Sequence, residues 1–341
     1  MLFRSVNKTV LVHAGTYRPA AKGQALIWFN ARHDGITLEA VGDVTLTAAN
    51  PQIADPRAPS YPAVVNHVVY FGDGVSRKTV LRGFKITGAN NFTTGSGEKS
   101  PIESDDIRKS AFFYTEGGGI KIYARAYPTI ENVEIVDNYS SPCGGGVSVE
   151  HLGQIQDAVL FRHCIFRGNR TQTTGAALDL LSGSRAIVEN SLFVGNVSNM
   201  GVDVVGLLTG GEYYPEHGSG ALTVFEGSTA AVSHSTFMGN WAGVDDHGKS
   251  TYTASIFWKN NLPGGISAGA RYELDLGYGA GVTGSFIHGD VNDLAGTIDR
   301  TVNTFDPPDP RFDASFVPQA PEFAGVGYRP ATTASPRKGS R

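Results

Sequence analysis

The side chains best suited to chemistry in this sequence recur at one position. Short strands introduced by glycine each carry a polar residue between apolar neighbours: Lys121, Ser148, Asp179, Asp203 and Thr223, with Asp245 and Asp246 on the next unit. Neighbouring strands of a sheet lie about 4.8 Å apart. If these strands stack, Asp179, Asp203 and Asp245 or Asp246 come within one or two spacings of each other. Carboxyl pairs about 5–5.5 Å or about 6.5–9.5 Å apart are the two geometries of glycoside hydrolysis. Crowding like charges raises the pKa of one member and makes it an acid. Elimination from a uronate asks for other groups, a cation on the carboxylate and a base for the adjacent proton. Lys121, Arg125, Arg162 and Arg185 offer the charge, and His151, Tyr213, Tyr214 and His217 offer proton transfer. Calcium, if used, would be taken by Asp179, Asp203 and Glu150, because it prefers clustered oxygen ligands. The plainer reading makes the aspartates solvated turn residues and the arginines outward-facing charges.

The elements that must position these side chains are set by a nine-residue repeat. It reads FRHCIFRGN at 161–169, with counterparts at 130–138, 188–196, 232–240 and 252–260. Stacked, the copies give an apolar column (Ile135, Phe166, Phe193, Phe237, Phe257) and a smaller one two residues earlier (Val133, Cys164, Ser191, Ser235, Ser255). Positions two apart share one face of a strand, so both columns face inward. A third column holds only asparagine: Asn138, Asn169, Asn196, Asn240 and Asn260. It suits left-handed backbone and side-chain hydrogen bonds between successive units. His163 and His234 share a column with Asn132 and Asn190, which argues for a turn role over metal binding. Members of the phenylalanine column are 31, 27, 44 and 20 residues apart. Propeller blades need about 40–45 residues each, too many for the short intervals. The units also lack the i, i+3, i+4 stripe of helical repeats. The periodicity predicts an all-β, single-stranded right-handed parallel β-helix, a solenoid with about one coil per 20–30 residues.

These columns resemble the parallel β-helix repeats of the pectate-lyase-like superfamily, which includes polysaccharide lyases, glycosidases and adhesins. The resemblance covers roughly residues 8–290 and includes the Gly-Thr-Tyr turn at 15–17. It implies a secreted or periplasmic protein that cleaves a polysaccharide, by lyase or hydrolase chemistry, in a cleft along the helix face. The alternative it leaves open is a non-catalytic surface, adhesion or glycan-binding module, toward which Ser148 and Thr223 in the polar column lean. Asp203, Asp245-Asp246 and His247-Gly248 are similar to the Asp, Asp-Asp and Gly-His-Gly elements of polygalacturonase-like glycosidases. They depart from that pattern in being contiguous at 245–248 and in lacking its Arg-x-Lys element. The catalytic set implied is Asp179, Asp203, Asp245, Asp246, Lys121 and His247. Arg125, Glu150, His151, Tyr213, Tyr214 and His217 are expected at the substrate.

Two insertions interrupt the coils, at about 90–116 and 206–218, and long loops of a solenoid tend to gather on its binding face. The helix is expected to occupy residues 1–300. A Pro-rich extended segment follows at 301–341, with its last dozen residues disordered. Trp258 follows an inward phenylalanine and should point outward, either as a contact surface or beneath that segment. Cys143 and Cys164 lie on neighbouring coils but in different columns, which disfavours a disulfide. With 28 Lys+Arg against 32 Asp+Glu and a net charge of −4, the chain is too balanced for nucleic acid or an anionic membrane. No apolar run reaches 18 residues, so no span is expected. The partner is expected to be a polysaccharide or oligosaccharide, and the chain a monomer.

Overall fold

A computed structural model describes residues 8–90, 116–140, 143–198, 220–262 and 271–331. Every ladder between its named strands is parallel. A sheet of nine strands runs from Gly23–Phe29 through Val65–Phe71, Ile120–Tyr123, Val147–Glu150, Leu178–Leu180, Leu222–Val224, Val244–Asp246 and Leu274–Leu276 to Val291–Asp293. A second sheet winds through the remaining sides of each coil and includes the nine-residue repeats. The fold is a parallel β-helix. No helix among the described residues is long and apolar enough to cross a membrane.

The inward columns stack as their spacing requires. Rings of Phe166 and Phe193 lie 4.5 Å apart, Phe193 and Phe237 4.2 Å, and Phe237 and Phe257 5.2 Å, all nearly parallel. Phe193 pairs directly with Phe237, so the 44-residue interval is one coil with an insertion. Ile86 pairs directly with Ile135 in the same way. The smaller column forms its own chain of bonds. The backbone N–H groups of Cys164, Ser191 and Ser235 each donate to the serine hydroxyl one coil on, at 3.2 Å.

The asparagine column is a buried ladder. Asn138, Asn169, Asn196 and Asn240 each donate both backbone N–H and side-chain Nδ2 to Oδ1 of the next asparagine, at 2.7–3.1 Å. Glu273 ends it by accepting both N–H groups of Asn260. The left-handed backbone lies elsewhere than expected. It falls on Asn132, His163, Asn190, His234 and Ala254, and on the residue before each ladder asparagine: Asp137, Gly168, Gly195, Gly239 and Lys259. The histidines therefore serve the turn, while the ladder asparagines hold extended strands together.

The segment after residue 305 lies along the helix. Ala320 and Phe323 pack with Ile256 and Trp258. The N–H groups of Gly327, Tyr328 and Arg329 donate to Ala254 O, Thr236 Oγ1 and Asn190 Oδ1, at 2.9, 2.9 and 2.7 Å. Trp258 is buried beneath this segment, so it offers no contact surface. Both cysteines are free and buried.

Candidate functional site

The nine-stranded sheet aligns the polar column. Tyr70 pairs with Lys121, Lys121 with Ser148, Ser148 with Asp179, Asp179 with Thr223, Thr223 with Asp245, Asp245 with Asp275, and Asp275 with Asn292. Alternate residues of each strand, such as Ile120 and Ile122 or Leu178 and Leu180, belong to the apolar core. The polar column therefore faces away from that core, one side chain per rung of about 4.8 Å. Glycines at the strand entries keep it clear. A Cβ on Gly175 would stand 2.8 Å from Asp179 Oδ1, on backbone whose φ of +59° already favours glycine.

The first half of the column is closed. Lys121 Nζ lies 2.7 Å from Glu150 Oε2, 3.2 Å from Glu116 Oε2 and 3.3 Å from Ser148 Oγ, with its side chain wholly buried. Burial works against the ammonium charge, but Glu150 and Glu116 outweigh it and raise its pKa. Burial, opposed by Lys121 and assisted by Glu150, pushes the Glu116 carboxyl up to about 7. Asp179, also fully buried, accepts one long hydrogen bond from Thr174 (3.4 Å), while its Oδ2 has no partner. Burial drives its pKa well above the carboxylate range, helped by the charges of Glu116 and Asp245 and opposed by Lys121.

The second half is partly exposed, at His247, Asp275 and Asn292, while Asp245 is buried. His247 Nε2 lies 2.8 Å from Asp245 Oδ1; the His247 side chain is 29% exposed and that of Asp245 2%. The hydrogen bond to Asp245 raises the His247 pKa, against burial, and the charges of Asp245, Asp275 and Asp246 add to the rise. Asp275 is half-buried and accepts a hydrogen bond of 2.8 Å from Asn292 Nδ2. Burial pushes its carboxyl up to about 6, with the Asp245 charge adding and Asn292 and His247 opposing. Gly277 leaves room for the imidazole, since a Cβ there would sit 3.0 Å from His247 Nδ1. Two aspartates on adjacent rungs thus have contrasting surroundings, one paired with a histidine and one inclined to hold a proton.

The other expected residues divide among several places. Asp246 is on the inward side of its strand, where Oδ1 accepts Gly248 N–H at 2.7 Å and Oδ2 accepts the buried Tyr252 hydroxyl at 2.8 Å. It braces the corner of the coil. Arg125 sits at the edge in an ion pair with Asp73, with Nε 2.8 Å from Oδ1. His151, expected to be exposed, is buried: Nδ1 accepts Arg185 N–H at 3.2 Å and Nε2 donates to Ala126 O at 2.9 Å. Burial lowers its pKa to about 4, so it is a neutral structural residue. Arg162 pairs with Glu189 at 2.8 Å, part-exposed. Asp203, Tyr213, Tyr214 and His217 lie outside the described residues. Among the described residues no three His, Cys, Asp or Glu side chains are arranged to hold a metal. Of the donors named for calcium, Glu150 is held by Lys121 and Asp179 is fully buried.

Asp275, Asn292 and Glu116 were absent from the expected set. A signal for Asp275 was present, because Leu274-Asp275-Leu276 repeats Leu178-Asp179-Leu180 and occupies the same column. Glu116 ends a polar stretch with no repeat mate, and nothing in the sequence marks it.

Fold and site define a parallel β-helix with an ionisable outer column, closed over its first rungs and partly exposed at His247 and Asp275 over its last. No family model matches the chain, and no curated protein matches it. Among solved structures, the crystal structure of pectate lyase Pel9A is similar over 97% of this chain and 83% of its own, with a TM-score of 0.45 and 14% identity.

Proposed function

We propose that the protein hydrolyses a polysaccharide lying across the last rungs of the nine-stranded sheet. The observation that carries this reading is the in-register pair Asp245 and Asp275, the first paired with His247 and the second pushed up to about 6, chiefly by burial. Such a division assigns one carboxyl as acid and the other as base or nucleophile. Adjacent rungs, about 4.8 Å apart, approach the spacing of about 5–5.5 Å used for retention of configuration. Asp275 gives its proton to the glycosidic oxygen as that bond to the anomeric carbon breaks. The Asp245 carboxylate, held by His247 at 2.8 Å, bonds to the anomeric carbon from the other side. Water then attacks that carbon, passes its proton to Asp275, and releases Asp245. Elimination finds less support: Lys121 and Arg125 are each held by carboxylates, leaving neither to neutralise a uronate. A polymeric substrate also agrees with a secreted or periplasmic location.

The test is a panel of neutral and uronate-containing polysaccharides, followed for reducing ends and for absorbance of unsaturated uronate. Reducing ends alone, reduced about 10²–10⁴-fold in Asp275→Asn as expected for loss of a general acid, are the predicted result. Unsaturated product would establish elimination instead, and silence in both channels would favour a glycan-binding module.

A further inference from the structure

We propose that the substrate of this site is an uncharged glycan, and that Tyr278 and Leu294 form the platform on which one of its rings rests. The inference rests on the hydrolytic reading for where the sugar lies and on separate observations for its charge. Tyr278 is 57% exposed and Leu294 74% exposed, the two largest values among the exposed large hydrophobic residues. Both border the acid–base pair. The Tyr278 ring meets the His247 ring edge-on with centroids 6.1 Å apart, and Leu294 N–H donates to Leu276 O, the residue after Asp275. Solitary exposed apolar residues need no explanation, but two beside a polar reaction centre mark a contact surface. Sugar rings present C–H faces that pack on aromatic and aliphatic groups while their hydroxyls reach polar partners such as Asn292 and Asp275.

Charge decides which sugars fit. The last rungs carry Asp245 and Asp275, with Asp290 exposed on the turn before Val291–Asp293. His247 is already paired with Asp245. Two arginines of these coils are engaged. Arg271 lies 4.9 Å over the Trp241 ring and bonds the carbonyls of Asn261 and Leu262, and Arg300 lies 4.1 Å over Phe305. Lys249 is exposed, next to the corner that Asp246 braces at Gly248. The upward displacement of Asp275 by Asp245 reports the same negative potential from inside the site. A polyuronate, with one carboxylate per residue, would be repelled here, whereas a neutral chain meets no such cost.

The experiment is native electrophoresis of the wild type and Tyr278→Ala through gels containing single polymers. The neutral set is carboxyl-reduced polygalacturonate, galactan and xylan; the anionic set is polygalacturonate and alginate, all at low and at moderate salt. Retardation by at least one neutral polymer and by neither polyuronate is the predicted result, with retention weakened roughly tenfold in Tyr278→Ala, the loss of about one aromatic contact. Equal or stronger retardation by a polyuronate would overturn the inference, as would retardation by no neutral polymer, or unchanged retention in Tyr278→Ala. Cleavage of polygalacturonate to saturated reducing ends would refute the neutral substrate and leave hydrolysis standing. Retention of a neutral polymer without cleavage would keep the substrate class and remove the reaction.

Discussion

Asp245→Asn is the perturbation that most closely probes the division of labour between the two aspartates. In the wild type, the Asp275 carboxyl is displaced from 3.8 to about 6, first by burial and next by the Asp245 charge. At one rung, about 4.8 Å, two unit charges interact by roughly 0.9 kcal/mol at the dielectric of water and about 3.5 kcal/mol at an effective value of 20. Asp275 is only half-buried and burial is the larger cause, so the share of Asp245 belongs near the lower end, about 1.4 kcal/mol or one pH unit. The asparagine keeps the size of the side chain and removes its charge. Asp275 should then titrate near pH 5, and His247, deprived of its charged partner, should fall toward its ordinary value of 6.5. Carboxyl-¹³C and imidazole resonances followed against pH in wild type and variant measure both, with Asp275→Asn supplying the assignment. An Asp275 midpoint unchanged or raised in Asp245→Asn would refute the coupling, and with it the assignment of acid and base.

Two further predictions concern the scaffold. Asn196→Ala removes the acceptor for Asn169 N–H and Nδ2 (3.0 and 3.1 Å) and the donor to Phe166 O (3.0 Å), stranding at least one buried N–H and one buried carbonyl. At about 1–3 kcal/mol for each orphaned group, urea denaturation should show a loss of roughly 2–6 kcal/mol; a loss below about 1 kcal/mol would mean the ladder is not a principal support. Asp179→Asn should stabilise the protein increasingly with pH. The folded pKa of Asp179 is raised, so its stabilising contribution is complete below the unfolded value near 3.8 and declines as pH rises toward the folded value. The slope approaches about 1.4 kcal/mol per pH unit in that window. A difference between variant and wild type that is flat from pH 4 to pH 7 would show that Asp179 is not a neutral buried acid.

Much of the architecture was legible because a solenoid writes its geometry as a period. The phenylalanine and asparagine columns are contacts between consecutive coils, and each appears in the sequence as a residue type at a fixed place. The polar column was legible in large part for the same reason, since Lys121, Ser148, Asp179, Thr223 and Asp245 occupy successive rungs in register, but Asp179 pairs directly with Thr223 and leaves no rung between them for Asp203. Extending it by one rung to Asp275 required only recognising the second Leu-Asp-Leu. What the sequence concealed was burial. His151 follows a strand and reads as exposed, yet its two ring nitrogens are engaged by main-chain groups from other turns. Lys121 reads as an available cation, yet Glu116 and Glu150 close on it from positions that no period predicts. Asp246 shares a dipeptide with Asp245 but lies on the opposite face, and alternation along the strand separates their roles.

The central claim is that Asp245 and Asp275 act together as neighbours on the ladder. The anomeric configuration of the first sugar end released from a cleaved neutral polymer, observed by ¹H NMR before mutarotation, tests it most directly. Retention is predicted, because adjacent rungs place the two carboxyls near the spacing of a covalent intermediate. Inversion would contradict the account and move the pairing to carboxyls two rungs apart, Asp179 and Asp245.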